Sequence, residues 1–483
     1  MKLKSLLSVL FIAVCLPAIG STWLANGVGA TTNKITLNVL LDVEPSEPIV
    51  ADLAGYGTVL DVISELKAVV LQTQEVEVAG IRSLSHVVSA RIDTSISVGT
   101  PEESRYVQPI TAGRSTFNQD AINVTNLGVG RTVGEDGEGV YVAMIDTGLV
   151  PAWRSHLPKR QVNIGYARAF NEEDRQGKGL GPGGSQAWET DPTSHGTFLA
   201  AMILGFDVDD PFVAPGAQGP VEGSAPASTL IPIRITWEQD GQTFTTPSVL
   251  SRALVYAASL KQRSLSNNPV VICLAVVFPH EQPIVREAMN YAIAHGLIVV
   301  VAAGNNGEEG MAYPAAYAEA ISVGASGWIG QWQPGPDGNS SNFWRSDDVP
   351  DPTNPADFYI TEFSSRQLTG QYLDVIAPGH LIFGPGQLPG GPPDHFFGGG
   401  TSASVPHVAG VVALMAQKRP RLTQAEAEEI LKRTAIPIDP GCRSVLEPLT
   451  INTGVPQTYC WGADATGSGL LNAAAALAAT TAH

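Results

Sequence analysis

Continuous apolar runs recur along the chain between residues 140 and 302. The clearest of them cover residues 140–145, 230–233, 270–274 and 297–302. Apolar runs of this length, without alternation, are typical of strands that are buried on both faces of a parallel sheet. The pattern therefore predicts an α/β core in this part of the chain.

A different pattern precedes this core. Residues 35–41 alternate as a strand does, residues 59–71 have helical spacing, and residues 75–78 and 87–92 favour strands. These elements predict a small α+β unit over residues 33–120, ahead of a larger domain over residues 121–483. The stretch 101–137, which spans the boundary between the two units, is polar and contains glycine, so we expect any cleavage between the units to fall there.

The first 30 residues have the pattern of a secretory signal. Lys2 and Lys4 precede an apolar stretch, residues 6–16, which is too short to cross a bilayer comfortably. Small residues follow and offer two cleavage sites, near residues 20 and 30. Cys15 also allows a lipoprotein interpretation, but the residue before it is a bulky valine. We therefore expect a secreted protein without a membrane span.

Four polar residues lie at predicted strand ends or helix starts, where catalytic and binding residues are often found. Asp146 ends an apolar run, at the carboxyl edge where parallel sheets build their sites, and Asn305 lies just beyond another run. His195 opens a helix-like segment for which Ser194 is the predicted N-cap. Ser402 follows a stretch of glycines at the start of a second helical segment.

These residue types together suit acyl transfer. A serine hydroxyl is a weak nucleophile near neutral pH, so Ser402 needs a base, and His195 can take its proton. Asp146 can fix the tautomer of the imidazole and stabilise the imidazolium that forms. The Asn305 amide and the backbone N–H of Ser402 can hold the oxyanion. Each residue alone is more often structural, but the four together favour catalysis.

The segments around these residues resemble the subtilisin-like serine proteases. The chain order Asp, His, Asn, Ser is that of the family. Further motifs agree with it: GSAPA at 223–227, YPAAY at 313–317, LDVIAPG at 373–379 and GSGLLNA at 467–473. The resemblance implies a doubly wound, mostly parallel α/β sheet and a serine endopeptidase that acts on proteins or peptides. It implies a triad of Asp146, His195 and Ser402, with Asn305 in the oxyanion hole.

The resemblance also has implications for the N-terminal unit and the substrate pocket. The α+β unit over residues 33–120 resembles the propeptide of the family, which assists folding and inhibits the enzyme. The alternative is an N-terminal domain that is retained. The residues expected to line the substrate pocket are Ala275, Val276, Val277, Ala303 and Gly304. We expect a monomer that requires no cofactor.

Two features depart from the family pattern. Asp146 and His195 lie 49 residues apart, wider than in compact members, which we attribute to a surface insertion over residues 171–190. Where the family has Ser-Leu-Gly beside the substrate, this chain has Ala275, Val276 and Val277. Valine in place of glycine adds a stiff, branched side chain at the pocket. We therefore expect cleavage after small or shallow aliphatic residues and poor cleavage after Phe and Tyr.

Two other interpretations remain open at this point. A catalytically weak or inactive binding protein on the same fold would explain the altered wall. The sequence Gly-Thr-Ser-Ala-Ser around Ser402 also resembles the sedolisins, acid-acting relatives that use glutamate where subtilisins use histidine. The sequence Ser-His-Gly-Thr at 194–197 favours the subtilisin-like interpretation.

Composition limits the remaining classes of function. With 483 residues, 44% of them hydrophobic, the chain is long enough to bury a sizeable core. Its net charge of −18 argues against nucleic-acid binding, which needs clustered Lys and Arg. The histidines lack metal-ligand spacing, so no catalytic metal is expected. Asp207, Asp209 and Asp210 could ligate a structural calcium, although a solvated acidic loop is the stronger expectation.

The four cysteines are expected to be in different states. Cys15 leaves with the signal, and Cys273 lies in an apolar run as a buried free thiol. Cys442 and Cys460 flank a loop rich in Pro, Thr and Gly, and an oxidising compartment favours their pairing. Closing a loop of this size contributes about 3 kcal/mol in the chain-entropy model.

Overall fold

The computed structural model describes residues 34–98, 117–126, 130–178, 184–208, 219–331, 349–387, 391, 393–445 and 455–481. The expected signal peptide, residues 101–116 of the expected cleavage region, and two of the three candidate calcium ligands, Asp209 and Asp210, lie outside the described residues. Asp207 is described, and its side chain is exposed.

The N-terminal unit is a four-stranded antiparallel sheet with two helices and one additional short strand. The sheet has the order β2-β3-β1-β4. The elements are β1 (Lys34–Leu41), α1 (Glu47–Ala54), β2 (Gly57–Ile63), β3 (Ala68–Gln74), α2 (Val78–Arg82), β4 (Val87–Ile92) and β5 (Ile96–Ser97). The predicted strands at 35–41 and 87–92 are therefore present.

The two central strands of this sheet, β1 and β3, are buried on both faces. Leu37 and Val39 pack on one face with Leu53 of α1. Leu40 and Val70 belong instead to the main hydrophobic core of the larger domain. The N-terminal unit is therefore packed against the rest of the chain, where β1 contacts helix α6 (Pro283–Ala294).

Two element predictions in this unit are wrong. Residues 59–71 are not a helix but span parts of β2 and β3, joined by a tight turn in which Lys67 has a φ of 50°. Residues 75–78 are not a strand but a 3₁₀ turn that leads into α2. In the first case the burial of both sheet faces removes the alternation that normally identifies a strand.

The larger domain is built on an eight-stranded, mostly parallel sheet. Its order is β18-β17-β16-β15-β8-β12-β9, and β19 pairs with β17. Apart from β18, which runs antiparallel to β17, the strands pair in parallel. The strands are β8 (Tyr141–Asp146), β9 (Arg168–Ala169), β12 (Thr229–Arg234), β15 (Val270–Leu274), β16 (Leu297–Ala302), β17 (Ile321–Trp328), β18 (Phe358–Ile360) and β19 (Val375–Pro378). The apolar runs predicted as buried strands are confirmed.

Helices complete a doubly wound α/β fold. Helix α7 packs against α4 and against β15, β16 and β17, whereas α5 packs against α6. The helices are α3 (Phe117–Ala121), α4 (His195–Leu204), α5 (Pro247–Arg263), α6, α7 (Thr401–Lys418), α8 (Gln424–Thr434) and α9 (Ala473–Ala479). Two of them, α4 and α7, begin at or next to the predicted histidine and serine.

Short hairpins surround the sheet. They are formed by β6 (Thr125–Asn126) with β7 (Gly130–Arg131), β10 (Phe206–Val208) with β11 (Gly219–Val221), β13 (Trp237–Gln239) with β14 (Gln242–Thr245), β20 (Ile382–Gln387) with β21 (Pro393–Gly398), and β22 (Gly441–Val445) with β23 (Gln457–Trp461). In the last hairpin Cys442 and Cys460 face each other and form the predicted disulfide. Cys273 is a buried free thiol, as predicted.

Candidate active site

Asp146 lies at the carboxyl end of β8 and is buried. Its Oδ1 is 2.7 Å from Nδ1 of His195 and accepts hydrogen bonds from the backbone N–H of Thr147 at 2.8 Å and the Thr147 hydroxyl at 3.1 Å. A carboxylate held by several donors has a fixed position and orients the imidazole bound to it. The structure therefore joins the predicted aspartate and histidine.

The start of α4 is fixed by side chains from outside the helix. The N–H of Gly196 donates to the Thr147 hydroxyl at 2.9 Å, and the N–H of Thr197 donates to Asp191 Oδ2 at 3.2 Å. A Cβ at Gly196 would lie 2.2 Å from the carbonyl oxygen of Gly148, so only glycine fits where this turn crosses the end of β8. These contacts hold His195 against Asp146.

Ser194 occupies the N-cap position of α4, as predicted, but its side chain does not cap the helix. Ser194 has a left-handed φ of 62°, and its hydroxyl donates to the carbonyl of Gln387 at 2.7 Å and accepts from the N–H of Gln387 at 2.8 Å. The first-turn N–H of His195 donates instead to the Thr193 hydroxyl at 3.2 Å. Ser194 thus ties the start of α4 to strand β20.

The surroundings of His195 favour its protonated form. Burial alone lowers the pKa of His195, but the charge of Asp146, their hydrogen bond and the charge of Asp191 outweigh it and raise this pKa above 6.5. The carboxyl group of Asp191 is itself buried, and burial raises its pKa, with the nearby Asp146 acting in the same direction. Two buried carboxyl groups therefore raise the pKa of His195.

Asn305 follows β16 and is exposed. Its side-chain oxygen accepts from the N–H of Thr401 at 2.9 Å and from the Thr401 hydroxyl at 3.0 Å. The same hydroxyl accepts from the N–H of Gly304 at 3.1 Å. Because the oxygen of the Asn305 amide is held in this way, its NH₂ group remains available as a donor near the start of α7.

Gly400 has a φ of 121°, and a Cβ there would lie 3.1 Å from Nδ2 of Asn305. Glycine therefore allows the Asn305 amide to approach the backbone just before Ser402. Ser402 occupies the second position of α7 and is half-buried. A serine near an amide donor at a helix N-terminus is an arrangement compatible with acyl transfer.

Hairpin β20–β21 connects the starts of the two helices. Strand β20 contacts α4 and binds Ser194 through Gln387, whereas β21 ends at Gly398, shortly before α7 begins. Helices α4 and α7 also pack directly against each other. The elements that bear His195 and Ser402 are thus held together by packing and by one hairpin.

The residues predicted to line the substrate pocket follow two adjacent strands. Leu274 of β15 pairs with Val301 of β16, so Ala275 to Val277 and Ala303 to Gly304 leave the sheet at the same edge. Ala275 and Val276 are buried, and Val277 is half-buried. Phe278 then exchanges two backbone hydrogen bonds with Tyr313, at 2.6 and 2.8 Å, which restrains this segment.

The other histidines of interest have structural environments. Burial lowers the pKa of His156, His380 and His407 to about 4. His407 is buried and bonded to the backbone of Ala403 and the side chain of Asn118, so it has a structural role in α7. Within the described residues, no group of three or more His, Cys, Asp or Glu side chains could hold a metal ion.

Three residues of the site were not predicted from the sequence. Thr147 and Asp191 position the Asp146–His195 pair, and Thr401 orients the Asn305 amide. The Asp-Thr-Gly and Gly-Thr-Ser sequences offered a signal, because threonine next to each predicted catalytic residue can bond locally. Asp191 accepts hydrogen bonds from the nearby Thr193 and Thr197, so an aspartate just before the predicted helix was the available signal.

A family model described as the subtilase family matches residues 137–469. The chain belongs to the subtilase family. Subtilases are serine endopeptidases, so the protein is a hydrolase of this class. The doubly wound α/β fold around β8, β15 and β16 is the fold expected for the family.

Several characterised subtilases are similar to this chain. Subtilisin E of Bacillus subtilis is 28% identical over 383 residues, which are 78% of this chain and 80% of that protein. The major intracellular serine protease of the same species is 26% identical over 63% of this chain and 79% of that protein. Since one relative is described as intracellular, the family alone does not decide the location of this subtilase.

A solved structure of similar fold is fervidolysin from Fervidobacterium pennivorans, described as a keratinolytic enzyme related to subtilisin. It is 20% identical, with a TM-score of 0.57, and the alignment covers 94% of this chain and 62% of that one. The subtilase thus spans less than two thirds of fervidolysin, and this similarity concerns the fold alone. Across the ranges that the structure describes, no helix is both long and apolar enough to span a membrane.

Proposed function

We propose that this subtilase is a secreted endopeptidase in which Asp146, His195 and Ser402 form the triad and Asn305 completes the oxyanion hole. The observation that supports the proposal best is the buried Asp146–His195 pair, in which Oδ1 of Asp146 lies 2.7 Å from Nδ1 of His195. Secretion is supported by the signal-like first 30 residues and by the disulfide, which is typical of oxidising compartments.

In the proposed reaction the Ser402 oxygen attacks the carbonyl carbon of the scissile peptide. His195 takes the hydroxyl proton, and Asp146 stabilises the imidazolium. The carbonyl oxygen becomes an oxyanion that the Asn305 amide and the Ser402 N–H bind. The C–N bond then breaks as His195 donates the proton to the leaving amine, and water hydrolyses the acyl-enzyme by the same steps.

A fluorophosphonate probe tests this assignment directly. We expect the purified protein to hydrolyse casein and to be labelled at Ser402, as located by peptide mapping. Labelling at a different serine in an active enzyme would contradict the assignment of the nucleophile. An unlabelled protein without hydrolysis would favour the inactive binding protein.

We also propose that residues 33–120 are a propeptide. Two contacts of the described part, residues 34–98, support this. Arg252 of α5 forms a charge pair with the buried carboxylate of Asp61 in β2, with one bond of 2.6 Å. Strand β5 pairs with β14 of the larger domain. An extended segment bound in this way resembles a peptide ligand added to a sheet edge.

The activity of the enzyme should fall in acid with a midpoint above pH 6.5. His195 acts as a base only when neutral, and its pKa is raised, so more alkaline solution is needed to deprotonate it. The measurement is kcat/KM against pH on a peptide substrate. Asp191→Asn removes one of the charges that raise this pKa and should move the midpoint to lower pH. An optimum near pH 3 to 4 would instead support the carboxyl-based mechanism of the sedolisins.

The primary pocket should favour small residues. Because Phe278 exchanges two backbone hydrogen bonds with Tyr313, the segment that contains Val277 cannot easily move outward to make room. We expect Val277→Gly to raise kcat/KM for substrates with Phe or Tyr at the cleaved bond by about 10-fold or more, the effect of a few methyl groups in a pocket. Val277→Ala is the matched intermediate. If wild-type enzyme already prefers large aromatic residues, Val277 does not face the pocket.

A further inference from the structure

The carboxylate of Asp93, just after β4, is buried at the N-terminus of α5 in the larger domain. Its Oδ1 accepts from the N–H of Ser248 at 2.9 Å, and its Oδ2 accepts from the Ser248 hydroxyl at 2.6 Å. Asn38 of β1 donates to Oδ1 at 2.7 Å. Two of these three donors belong to the larger domain, at the positive end of a 17-residue helix.

A buried arginine completes this site. Nη1 of Arg175 is 3.5 Å from Asp93 Oδ2 and bonds to the Ser248 hydroxyl, and the arginine side chain is 6% exposed. Its Nη2 lies 3.8 Å from the partly exposed Glu172, and within the described residues its Nε has no hydrogen-bond partner. The expected surface insertion 171–190 is therefore not wholly at the surface, since Arg175 reaches the boundary between the two units.

Removal of the N-terminal unit would leave most of this site behind. Asp93 and Asn38 would depart, whereas Ser248, Arg175 and the free N–H groups of α5 would stay. A buried guanidinium without its carboxylate is unfavourable, because desolvation is no longer compensated. Glu172 is the one remaining acid within 4 Å of Arg175 in the described part of the chain, and it is 43% exposed.

Strand β5, which follows Asp93 in the chain, pairs with β14 of the larger domain. Ile96 lies opposite Thr245, Ser97 lies opposite Phe244, and the N–H of Val98 donates to the carbonyl of Thr243 at 2.8 Å. Asp93 is three residues before Ile96. Consider a substrate that pairs with β14 in place of β5. Its residue opposite Thr245 takes the place of Ile96, and the residue three positions earlier takes the place of Asp93, next to Ser248 and Arg175.

We propose that Arg175, Ser248 and the N-terminus of α5 form a subsite for an acidic side chain of the substrate, on the amino side of the scissile bond. Asp93 occupies this subsite until the N-terminal unit is removed. The inference rests on the proposed function, because it requires that residues 34–98 leave and that peptides are cleaved at Ser402. It assigns the insertion a role in substrate recognition in the mature enzyme.

The test uses processed wild-type enzyme, with its new N-terminus confirmed by sequencing. Peptides that extend to both Ser402 and Ser248 carry one Asp, moved a position at a time along the amino side, and each has an Asn counterpart. We expect kcat/KM to favour Asp over Asn by about 10-fold at one position, as a charge-assisted hydrogen bond does. At the other positions, the ratio of kcat/KM for the Asp peptide to kcat/KM for its Asn counterpart should be near one.

Arg175→Gln should reduce the ratio at that position toward one. Arg160→Gln is the matched control, since it removes the same charge from an exposed residue and should leave the ratio as in wild type. If Arg175→Gln does not fold, the series of Asp and Asn peptides measured with wild-type enzyme still tests the proposed subsite. A flat scan in processed, active enzyme would overturn the inference, and so would a preference that persists in Arg175→Gln. An active enzyme that keeps residues 34–98 would instead overturn the propeptide proposal.

Discussion

Replacing Ser402 by alanine should lower kcat for peptide hydrolysis by about a million-fold, the size of the loss when the catalytic serine of a subtilisin is replaced. The alanine removes the oxygen that attacks the carbonyl, while Asn305 and the helix N-terminus remain. Labelling by the fluorophosphonate probe should disappear as well. Casein hydrolysis and intact-mass measurement after labelling are the two assays.

Ser404→Ala is the matched control for this variant. Ser404 lies in the same helix, is buried, and donates to the carbonyl of Ala377 at 3.0 Å, so its loss removes one structural bond without removing the nucleophile. We expect Ser404→Ala to be labelled at Ser402 and to remain active. Substantial activity in Ser402→Ala would show that a different residue attacks the substrate.

The same variant reports on maturation. If the N-terminal unit is removed by the enzyme's own active site, Ser402→Ala should retain residues 34–98, whereas wild type and Ser404→Ala should lose them. N-terminal sequencing of the three purified proteins is the measurement. Retention in all three, with wild type active, would mean that the N-terminal unit is a permanent domain.

The positions of Asp146 and Asn305 could be predicted because they depend on local sequence alone. Each follows an unbroken apolar run, and such a run is buried as a central strand with its polar successor at the carboxyl edge of the sheet. The strand that precedes each residue therefore determines its position, whichever residues surround it in the fold. The pairing of Cys442 with Cys460 was predictable for a similar reason, since they flank one short loop.

The error at residues 59–71 has a physical cause. One face of the N-terminal sheet packs on its own helices and the other on the main core, so Val69 and Val70 are both buried. Strands β2 and β3 are joined by a turn at Lys67. Because apolar residues lie on both faces of these strands, their spacing in the sequence resembles that of a helix. A sequence pattern records which residues are apolar, not which of two partners covers them.

Contacts between distant segments could not be predicted at all. Arg175 meets Ser248 from 73 residues away, and Thr401 orients Asn305 across 96 residues. Ser194 was predicted as a cap because serine favours that position, yet its hydroxyl binds Gln387, 193 residues along the chain. In each case the choice of partner depends on the assembled fold.

Replacing Asp146 by asparagine should lower kcat by about 10⁴-fold, as the loss of the triad aspartate does in serine proteases, subtilisins included. Oδ1 of Asp146 accepts from His195 and twice from Thr147. An amide in this place lacks the negative charge that stabilises the imidazolium. If its NH₂ group turns toward Nδ1, the ring proton moves to Nε2, the nitrogen that must accept the proton of Ser402.

Asp374→Asn is the control for removing a buried carboxylate. Asp374 accepts from the N–H and the hydroxyl of Ser322, each at 2.8 Å, so it supports β17 and lies outside the catalytic group. Asp374→Asn should therefore lower stability in thermal unfolding more than it lowers kcat. Asp146→Asn should show the opposite, because its main effect is on the protonation and tautomer of His195. Activity of Asp146→Asn within about 10-fold of wild type would exclude a general base oriented by this carboxylate, since that role contributes several kcal/mol to the barrier.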